Sequence, residues 1–449
     1  MEFEGEKILI LGLGLSGRAA AKYVIARGGK VCAVDNNQEL LNENQEIEAL
    51  RRRGVRCLHD TNLRVGDFQK LIVSPGIPQT HPLYQQALTF GVEILGEMEL
   101  ALRALENPCL AITGSNGKTT TTLLVEHVLN FVGIKARSAG NIGLPLTAII
   151  DTLPKEEVIV LELSSWQLET LRTAAIDAAV VLNITPNHLD RHLTIENYAK
   201  AKLNLRHCLK SGKTLYMGED CFDHFNYLIE KTAIKTFGYS SQSHIYCDRT
   251  NVYHEGKIQF GVPSIYQGKK SHDVENMMAA FALCMEIGVT GEQFASALPT
   301  FKKPPHRIEF VRNIGGVSYY NDSKGTSLDA VVKAVESMDG PSILIAGGVH
   351  KGAAYTPWLT AFDGKVRHIC AIGQAAEKIR SDLGIKIAVD VFETLEEALV
   401  QASSLARNGE NVLLSPGCSS YDMFKSYEHR GDEFKRLVET LATRGKKPH

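Results

Sequence analysis

At 449 residues the chain is too long for one ordinary hydrophobic core, so two to four domains are expected. Hydrophobic content of 44% with 22% charged residues is that of a soluble globular protein. The net charge of −2, with no Lys/Arg block, argues against a nucleic-acid partner or a membrane surface, and no apolar run approaches the ~20 residues of a spanning helix.

The acidic start, Met1 to Glu6, runs directly into a strand and carries no signal-peptide pattern. Nine cysteines are scattered singly from Cys32 to Cys418 without a C-x-x-C pair, which fits reduced thiols better than a disulfide framework or a zinc site. A cytoplasmic protein is expected. Through the first hundred residues, apolar runs at Ile8 to Leu11, Val31 to Val34 and Leu71 to Val73 alternate with helical stretches, including a crossover helix over Arg18 to Ala26. That alternation predicts a parallel α/β sheet.

Gly12-Leu13-Gly14-Leu15-Ser16-Gly17 is a full G-x-G-x-x-G between a strand and a helix, and Asp35 closes the second strand. Such a loop brings glycines close to a pyrophosphate at a helix N-terminus and sets an acid near ribose hydroxyls. A nicotinamide cofactor and a UDP-linked substrate satisfy this motif equally well. A second glycine turn, Ser74-Pro75-Gly76-Ile77, ends the third strand.

The segment from Gly96 to Pro108 reads as a link to a second α/β unit. There Gly114-Ser115-Asn116-Gly117-Lys118-Thr119-Thr120 follows the apolar run Cys109 to Thr113 and precedes a helical pattern over Thr119 to Val132. A strand turning through glycines into a helix aims unpaired N–H groups and a positive dipole end at one point. With Lys118 as a cation and Thr119 as a hydroxyl for Mg²⁺, that point suits a nucleotide triphosphate. The strict pattern would place glycine where Ile112 stands. A dehydrogenase has no use for this loop.

Strands follow at Val158 to Leu163 and Ala178 to Asn183. A small antiparallel hairpin around Glu255-Gly256-Lys257 is expected within Ile245 to Val262, then a helix over Val274 to Ile287. Pro304-Pro305 breaks the pattern. The last stretch of about 145 residues is again α/β, with strands at Val317 to Tyr320, Ser342 to Ala346, Cys370 to Ile372 and Val412 to Leu414.

Several further segments carry a family resemblance. They are Gly140-Asn141-Ile142-Gly143-Leu144-Pro145, Leu161 to Glu169 with Glu162 and Ser164, Asn187-His188-Leu189-Asp190-Arg191-His192 and Tyr198-Ala199-Lys200-Ala201-Lys202. Downstream come Pro305-His306-Arg307, Asn321-Asp322-Ser323-Lys324-Gly325-Thr326, Leu414 to Ser420, and Phe424 with Tyr427 to Gly431. In this order they resemble the Mur ligases, ATP-dependent amino-acid ligases of peptidoglycan precursor synthesis. The resemblance covers nearly the whole chain and implies three domains. These are a Rossmann-like unit over 1–97 for the UDP moiety, a central P-loop ATPase over 98–302, and a Rossmann-like unit over 303–449. The central unit would combine a parallel sheet with a small antiparallel one.

The branch most resembled adds D-glutamate to UDP-N-acetylmuramoyl-L-alanine, with ATP and two Mg²⁺ ions, in a cytoplasmic monomer. The resemblance implies catalytic roles for Lys118, Glu162, His188 and Lys202. Thr119, Glu162, His188 and a carbamylated Lys202 would serve the metal ions. ATP would be held by Gly114 to Thr120, Asn276, Arg307 and Asp322. The UDP substrate would meet Gly14, Leu15, Ser16, Asp35, Asn37, Ser74, Pro75, Gly76, Asn141 and His188. The amino acid would meet Lys324, Thr326, Lys351, Ser415 and Phe424. The chain departs from the family pattern at Asn37, at His272-Asp273-Val274-Glu275-Asn276, and at Val349 in Gly347-Gly348-Val349-His350-Lys351-Gly352, where an acid is common. Alternatives are a related ligase for another amino acid or a folate tail and, more remotely, a nicotinamide-dependent dehydrogenase.

Overall fold

The computed structural model describes residues 3–59, 63–229, 234–264, 271–302, 304–338, 340–350, 352 and 354–444. The chain forms two compact units, one of Met1–Ile184 with Ala199–Phe301 and the other of Thr185–Tyr198 with Lys302–His449.

The first unit carries two sheets. Its N-terminal sheet is all parallel, with strands β1 (Lys7–Leu11), β2 (Lys30–Asp35), β3 (Arg56–His59), β4 (Lys70–Val73) and β5 (Glu93–Gly96) in the order β3-β2-β1-β4-β5. In β1, Ile8 to Leu11 are all buried, as a strand covered on both faces by crossover helices requires.

The second sheet contains β6 (Cys109–Thr113), β7 (Ala136–Gly140), β8 (Val158–Glu162), β9 (Ile176–Val181), β10 (Leu209–Gly218), β11 (Ile234–Gly238), β12 (Ile245–Cys247), β13 (Asn251–His254) and β14 (Lys257–Gly261). Its order is β14-β13-β12-β11-β10-β9-β6-β8-β7. The expected hairpin is β13/β14, and it is not set apart. The parallel pairing of β11 with β12, and the antiparallel pairing of β12 with β13, make it the edge of one mixed sheet. Phe260 on β14 anchors that edge, its ring 5.0 Å from Phe281 and 5.2 Å from Phe294.

Strand β6 lies between β8 and β9, and the chain leaves it through helix Lys118–Phe131 to reach β7 beyond β8. The carboxyl end of β6 is therefore a point where strand order reverses, the usual place for a ligand in an α/β sheet.

Within the segment expected as a link runs a helix, Glu97–Leu102, with every residue buried. Two of those residues are acidic. Glu97 accepts from Thr147 N at 2.8 Å and Thr147 Oγ1 at 2.7 Å. Glu99 accepts from Arg172 N, Thr173 N and Thr173 Oγ1, and pairs with Arg103 at 2.9 Å. Acidic residues that look solvated in sequence thus tie the helix to residues 50 and 74 positions away.

The second unit has a six-stranded sheet of β15 (Glu309–Ile314), β16 (Val317–Asn321), β17 (Ser342–Gly347), β18 (Val366–Ile372), β19 (Ala388–Phe392) and β20 (Asn411–Leu414), ordered β15-β16-β20-β17-β18-β19. Only the β15/β16 pair is antiparallel. Among the described residues, no helix is long and apolar enough to cross a membrane, and all nine cysteines are free.

Burial holds the Glu97 carboxyl above the ordinary glutamate range, opposed by the hydrogen bonds from Thr147. An acid raised in the folded state keeps a proton that the unfolded chain releases, so it erodes stability as pH rises from the unfolded pKa toward the folded one. Glu97→Gln retains an oxygen for Thr147 and does not ionise. The variant should be at least as stable as the parent at pH 8 in urea denaturation, with the difference shrinking as pH falls through the ordinary glutamate range. A variant weaker than the parent at pH 8 would show that the ionised carboxylate itself is required.

Candidate functional site

The loop after β6 is built to stay open. Gly117 has φ +85°, and a Cβ there would collide with Asn276 Oδ1, so both the backbone angle and the side-chain contact demand glycine. Asn183, just beyond β9, locks the loop from the other side. Its carbonyl accepts from Ser115 N at 2.8 Å, its Oδ1 accepts from Asn116 N at 2.9 Å, and its Nδ2 donates to Asn116 O at 3.2 Å. The sequence reading missed Asn183 as a site residue. Its signal was an asparagine at the carboxyl end of a strand flanking the loop.

Two lysines converge here. Lys118 Nζ donates to Gly114 O at 2.8 Å and Ser115 O at 3.0 Å. Lys202, on helix Ile195–Leu203, is 1% exposed and donates to the same Gly114 O at 2.8 Å. Burial is the main reason its amine is held well below the ordinary lysine range, and the nearby Lys118 adds to the effect. A lowered pKa raises the unprotonated, nucleophilic share of this amine.

Glu162 ends β8 and is buried. Its Oε1 accepts from Asn141 Nδ2 at 2.8 Å, and Asn141 N donates to Glu162 O at 2.8 Å. Gly140, at φ +101°, permits this approach, since a Cβ there would strike the Glu162 carbonyl. The structure thus brings Asn141 to Glu162, whose Oε2 is buried without a hydrogen-bond partner. An orphaned carboxylate oxygen is costly unless a cation satisfies it. Among the described residues no three His, Cys, Asp or Glu side chains form a metal cage. That sparse donor set fits Mg²⁺, which takes one or two carboxylates and completes its shell with water and phosphate oxygens. Thr119 sits in the first turn of helix Lys118–Phe131, followed by the buried Thr120.

The first glycine loop is also pinned by distant groups. Asp35 Oδ2 accepts from Leu13 N at 2.6 Å and its Oδ1 from Asn37 N at 2.8 Å. Ser74 Oγ donates to Gly12 O at 2.9 Å. Gly14 and Leu15 remain exposed and Ser16 half-buried at the helix start, which leaves their amides open to an anion. Pro75 and Gly76 follow Ser74 on the adjoining turn. Asn37 caps helix Gln38–Glu43 by accepting from Leu40 N at 2.9 Å.

In the second unit, Asp322 follows β16 and is buried within the fold. Its Oδ2 accepts from Ser415 Oγ at 2.6 Å and its Oδ1 from Ile308 N at 3.3 Å. Burial pushes its carboxyl up to about 7, opposed first by Ser415 and then by Arg307. Arg307 stands between two residues in the left-handed region, His306 at φ +63° and Ile308 at φ +49°. Such backbone persists only where surrounding contacts impose it, and buried His306 meets Asn321 Nδ2 at 2.9 Å. Lys324 Nζ lies 3.8 Å above the Tyr427 ring. Phe424 packs against the apolar core of this unit, its ring 5.7 Å from His429.

Arg430 is a second residue that sequence reasoning left without a role. Buried to 1% exposure, it donates to Ser323 Oγ at 2.9 Å, Ser323 O at 2.8 Å and Cys418 O at 3.3 Å. Burial lowers it to about 10. It clamps the segment carrying Lys324 and Thr326 to the segment following Ser415. His188, itself at φ +54°, and Thr326 line a small open cleft with His350, Tyr355 and Gly417. Lys351 lies outside the described residues.

Three family models match successive stretches of the chain. The Mur ligase MurD-like N-terminal domain matches residues 6–96, the Mur ligase middle domain 112–284, and the Mur ligase glutamate ligase domain 306–418. A UDP-N-acetylmuramoylalanine--D-glutamate ligase of Protochlamydia amoebophila is 47% identical over 438 residues, covering 97% of this chain and 98% of the relative. One from Alkaliphilus metalliredigens is 36% identical, covering 98% and 99%. Among solved structures, MurF ligase from Thermotoga maritima in complex with ADP superposes with a TM-score of 0.64 at 16% identity, covering 92% of this chain and 96% of that one. The UDP-N-acetylmuramate-alanine ligase MurC of the same organism gives 0.58 at 18% identity, covering 97% and 100%. At such identities the structural likeness is one of fold, but the end-to-end sequence identity to the first relative is enough to say that this chain belongs to the Mur ligases.

Proposed function

We infer that this chain is an ATP-dependent ligase that adds D-glutamate to UDP-N-acetylmuramoyl-L-alanine, releasing ADP and phosphate. The reading follows the names of its full-length relatives. It rests in the structure on one observation, the convergence of Lys118 and Lys202 on the Gly114 carbonyl at the end of β6. The reaction would belong to cytoplasmic peptidoglycan synthesis, and so to cell shape and division. We assign residues 1–97 to the UDP substrate, 98–302 to ATP and 303–449 to the amino acid, in a monomer.

Forming an amide from a carboxylate and an amine requires a leaving group better than hydroxide. Transfer of the γ-phosphoryl group to the substrate carboxylate supplies it, and the amine then displaces phosphate from the acyl carbon. Both the phosphate and the carboxylate are anions, so positive charge and positioning carry the rate. Loop amides from Gly114 to Thr120 receive the phosphates, and Lys118 swings from its own loop carbonyls onto them. Asn276 takes the adenine, Asp322 the ribose and Arg307 the phosphates. Gly14 to Ser16, Asp35, Asn37, Ser74 to Gly76 and Asn141 serve the UDP substrate. Lys324, Thr326, Lys351, Ser415 and Phe424 serve D-glutamate.

Mg²⁺ bound by Thr119, Glu162, His188 and modified Lys202 would neutralise phosphate charge. The modification is a carbamate. The neutral Lys202 nitrogen attacks the carbon of CO₂, a proton leaves the nitrogen, and a cation becomes an anion able to ligate metal. Burial of Lys202 supports this, because only the unprotonated amine reacts.

Lys118→Ala should lower turnover by about 10²-fold or more, as for loss of a key transition-state charge, while leaving affinity for the UDP substrate intact. Calorimetric titration of the folded variant with that substrate checks it, and loss of this binding would mean the two nucleotide sites are not separate. Lys202→Ala should be nearly inactive in a phosphate-release assay, with partial recovery on adding short-chain carboxylates. Full activity of that variant would remove the carbamate from the mechanism.

A further inference from the structure

His350 lines the cleft of the second unit and has no role in the reaction described above. It follows Val349, whose backbone N is bonded to Ser419 O at 2.9 Å, so the turn that carries it is held to the segment beyond β20. Its Nδ1 lies 3.2 Å from the Tyr355 hydroxyl, with ring centroids 5.6 Å apart.

Tyr355 is itself immobilised. It is 1% exposed, its backbone N donates to Asp382 Oδ2 at 3.0 Å, and its ring meets Trp358 edge-on at 5.2 Å. Its hydroxyl also lies 3.1 Å from Cys418 Sγ. A phenol is a strong donor and an imidazole nitrogen a strong acceptor, whereas a thiol is weak in both roles. The favoured arrangement therefore runs from the Cys418 S–H to the Tyr355 oxygen, and from the Tyr355 O–H to His350 Nδ1. With Nδ1 accepting, the proton of the neutral ring sits on Nε2. No other hydrogen bond to His350 is made among the described residues.

A donor is needed here. An amino dicarboxylate brings two carboxylates to be held. Ser415 spends its one hydroxyl proton on Asp322 at 2.6 Å, so what it still offers the substrate is an acceptor, suited to the amine rather than to a carboxylate.

We infer that His350 is a specificity-determining residue whose Nε2–H, oriented by Tyr355, donates to a carboxylate of the incoming amino acid. This rests on the reading that the cleft receives the amino-acid substrate. A hydrogen bond to a charged group corresponds to roughly 10- to 100-fold in affinity.

The test is steady-state phosphate release by the full chain with ATP, UDP-N-acetylmuramoyl-L-alanine and D-glutamate. His350→Ala should raise KM for D-glutamate by about 10- to 100-fold, with kcat and KM for ATP within about twofold of the parent. His350→Gln, which keeps an N–H donor, should recover most of the loss, and Tyr355→Phe should raise the same KM less. An unchanged KM for D-glutamate would overturn the inference. So would a fall in kcat at constant KM, which would make His350 a proton acceptor, or a parallel rise in KM for all three substrates, which would make it part of the loop's structure. If the parent protein releases no phosphate in response to D-glutamate, the proposed function fails instead, and the two failures are distinct.

Discussion

Two lysines sharing one backbone carbonyl is the arrangement around which the first unit is organised. Lys118 and Lys202 both donate to Gly114 O at 2.8 Å. Burial loosens the hold of the Lys202 amine on its proton, and the Lys118 charge beside it adds to the effect. The surrounding fold keeps this tension in place. Strand β6 delivers Gly114, the His272–Glu286 helix brings Asn276 against Gly117, and Asn183 holds Ser115 and Asn116. The result is a site with an anion-binding cradle and, beside it, an amine whose proton is held less tightly than that of an ordinary lysine.

Buried ionisable groups recur as a structural device elsewhere in the molecule. Glu97 and Glu99 dock a helix by accepting hydrogen bonds from backbone and hydroxyl groups, and Arg430 clamps two loops by donating to carbonyl and hydroxyl groups. Each is met by several fixed dipoles, which offsets the cost of removing it from water. Directional bonds of this kind fix loop geometry more tightly than apolar contacts do, and they lie beside the segments that carry the proposed binding residues.

Strands such as β1, β6, β8 and β17 were legible because they are short, continuous apolar runs bounded by glycines or turns. Strand β10 was not, since Lys210-Ser211-Gly212-Lys213 interrupts its pattern, and β15 lies at the polar edge of its sheet. Both glycine loops could be read because the backbone chemistry of anion binding demands that residue spacing. The partners that fix them could not. Asn183 acts 67 positions from Asn116, and Arg430 acts 107 from Ser323, and local sequence does not say which residue either will meet. The curling of Lys118 onto its own loop, and the packing of Phe424 into the core, likewise depend on neighbours that only the folded chain supplies.

The placement of β6 between β8 and β9 has a consequence for biosynthesis. Pairing of β6 on either side needs residues up to Val181, Asn183 fastens its loop, and the contact that packs Gly117 waits for Asn276, about 160 residues later. At translation rates of roughly 5–20 residues per second, the loop spends on the order of 10 s or more outside the ribosome before its last partner emerges. Until β8 and β9 emerge its apolar strand is an unpaired edge, the feature that most exposes a nascent α/β chain to aggregation, and until Asn276 emerges the Gly117 turn lacks its packing contact. The nucleotide site is therefore among the last parts of the first unit to be completed, although its sequence is translated well before that of its partners.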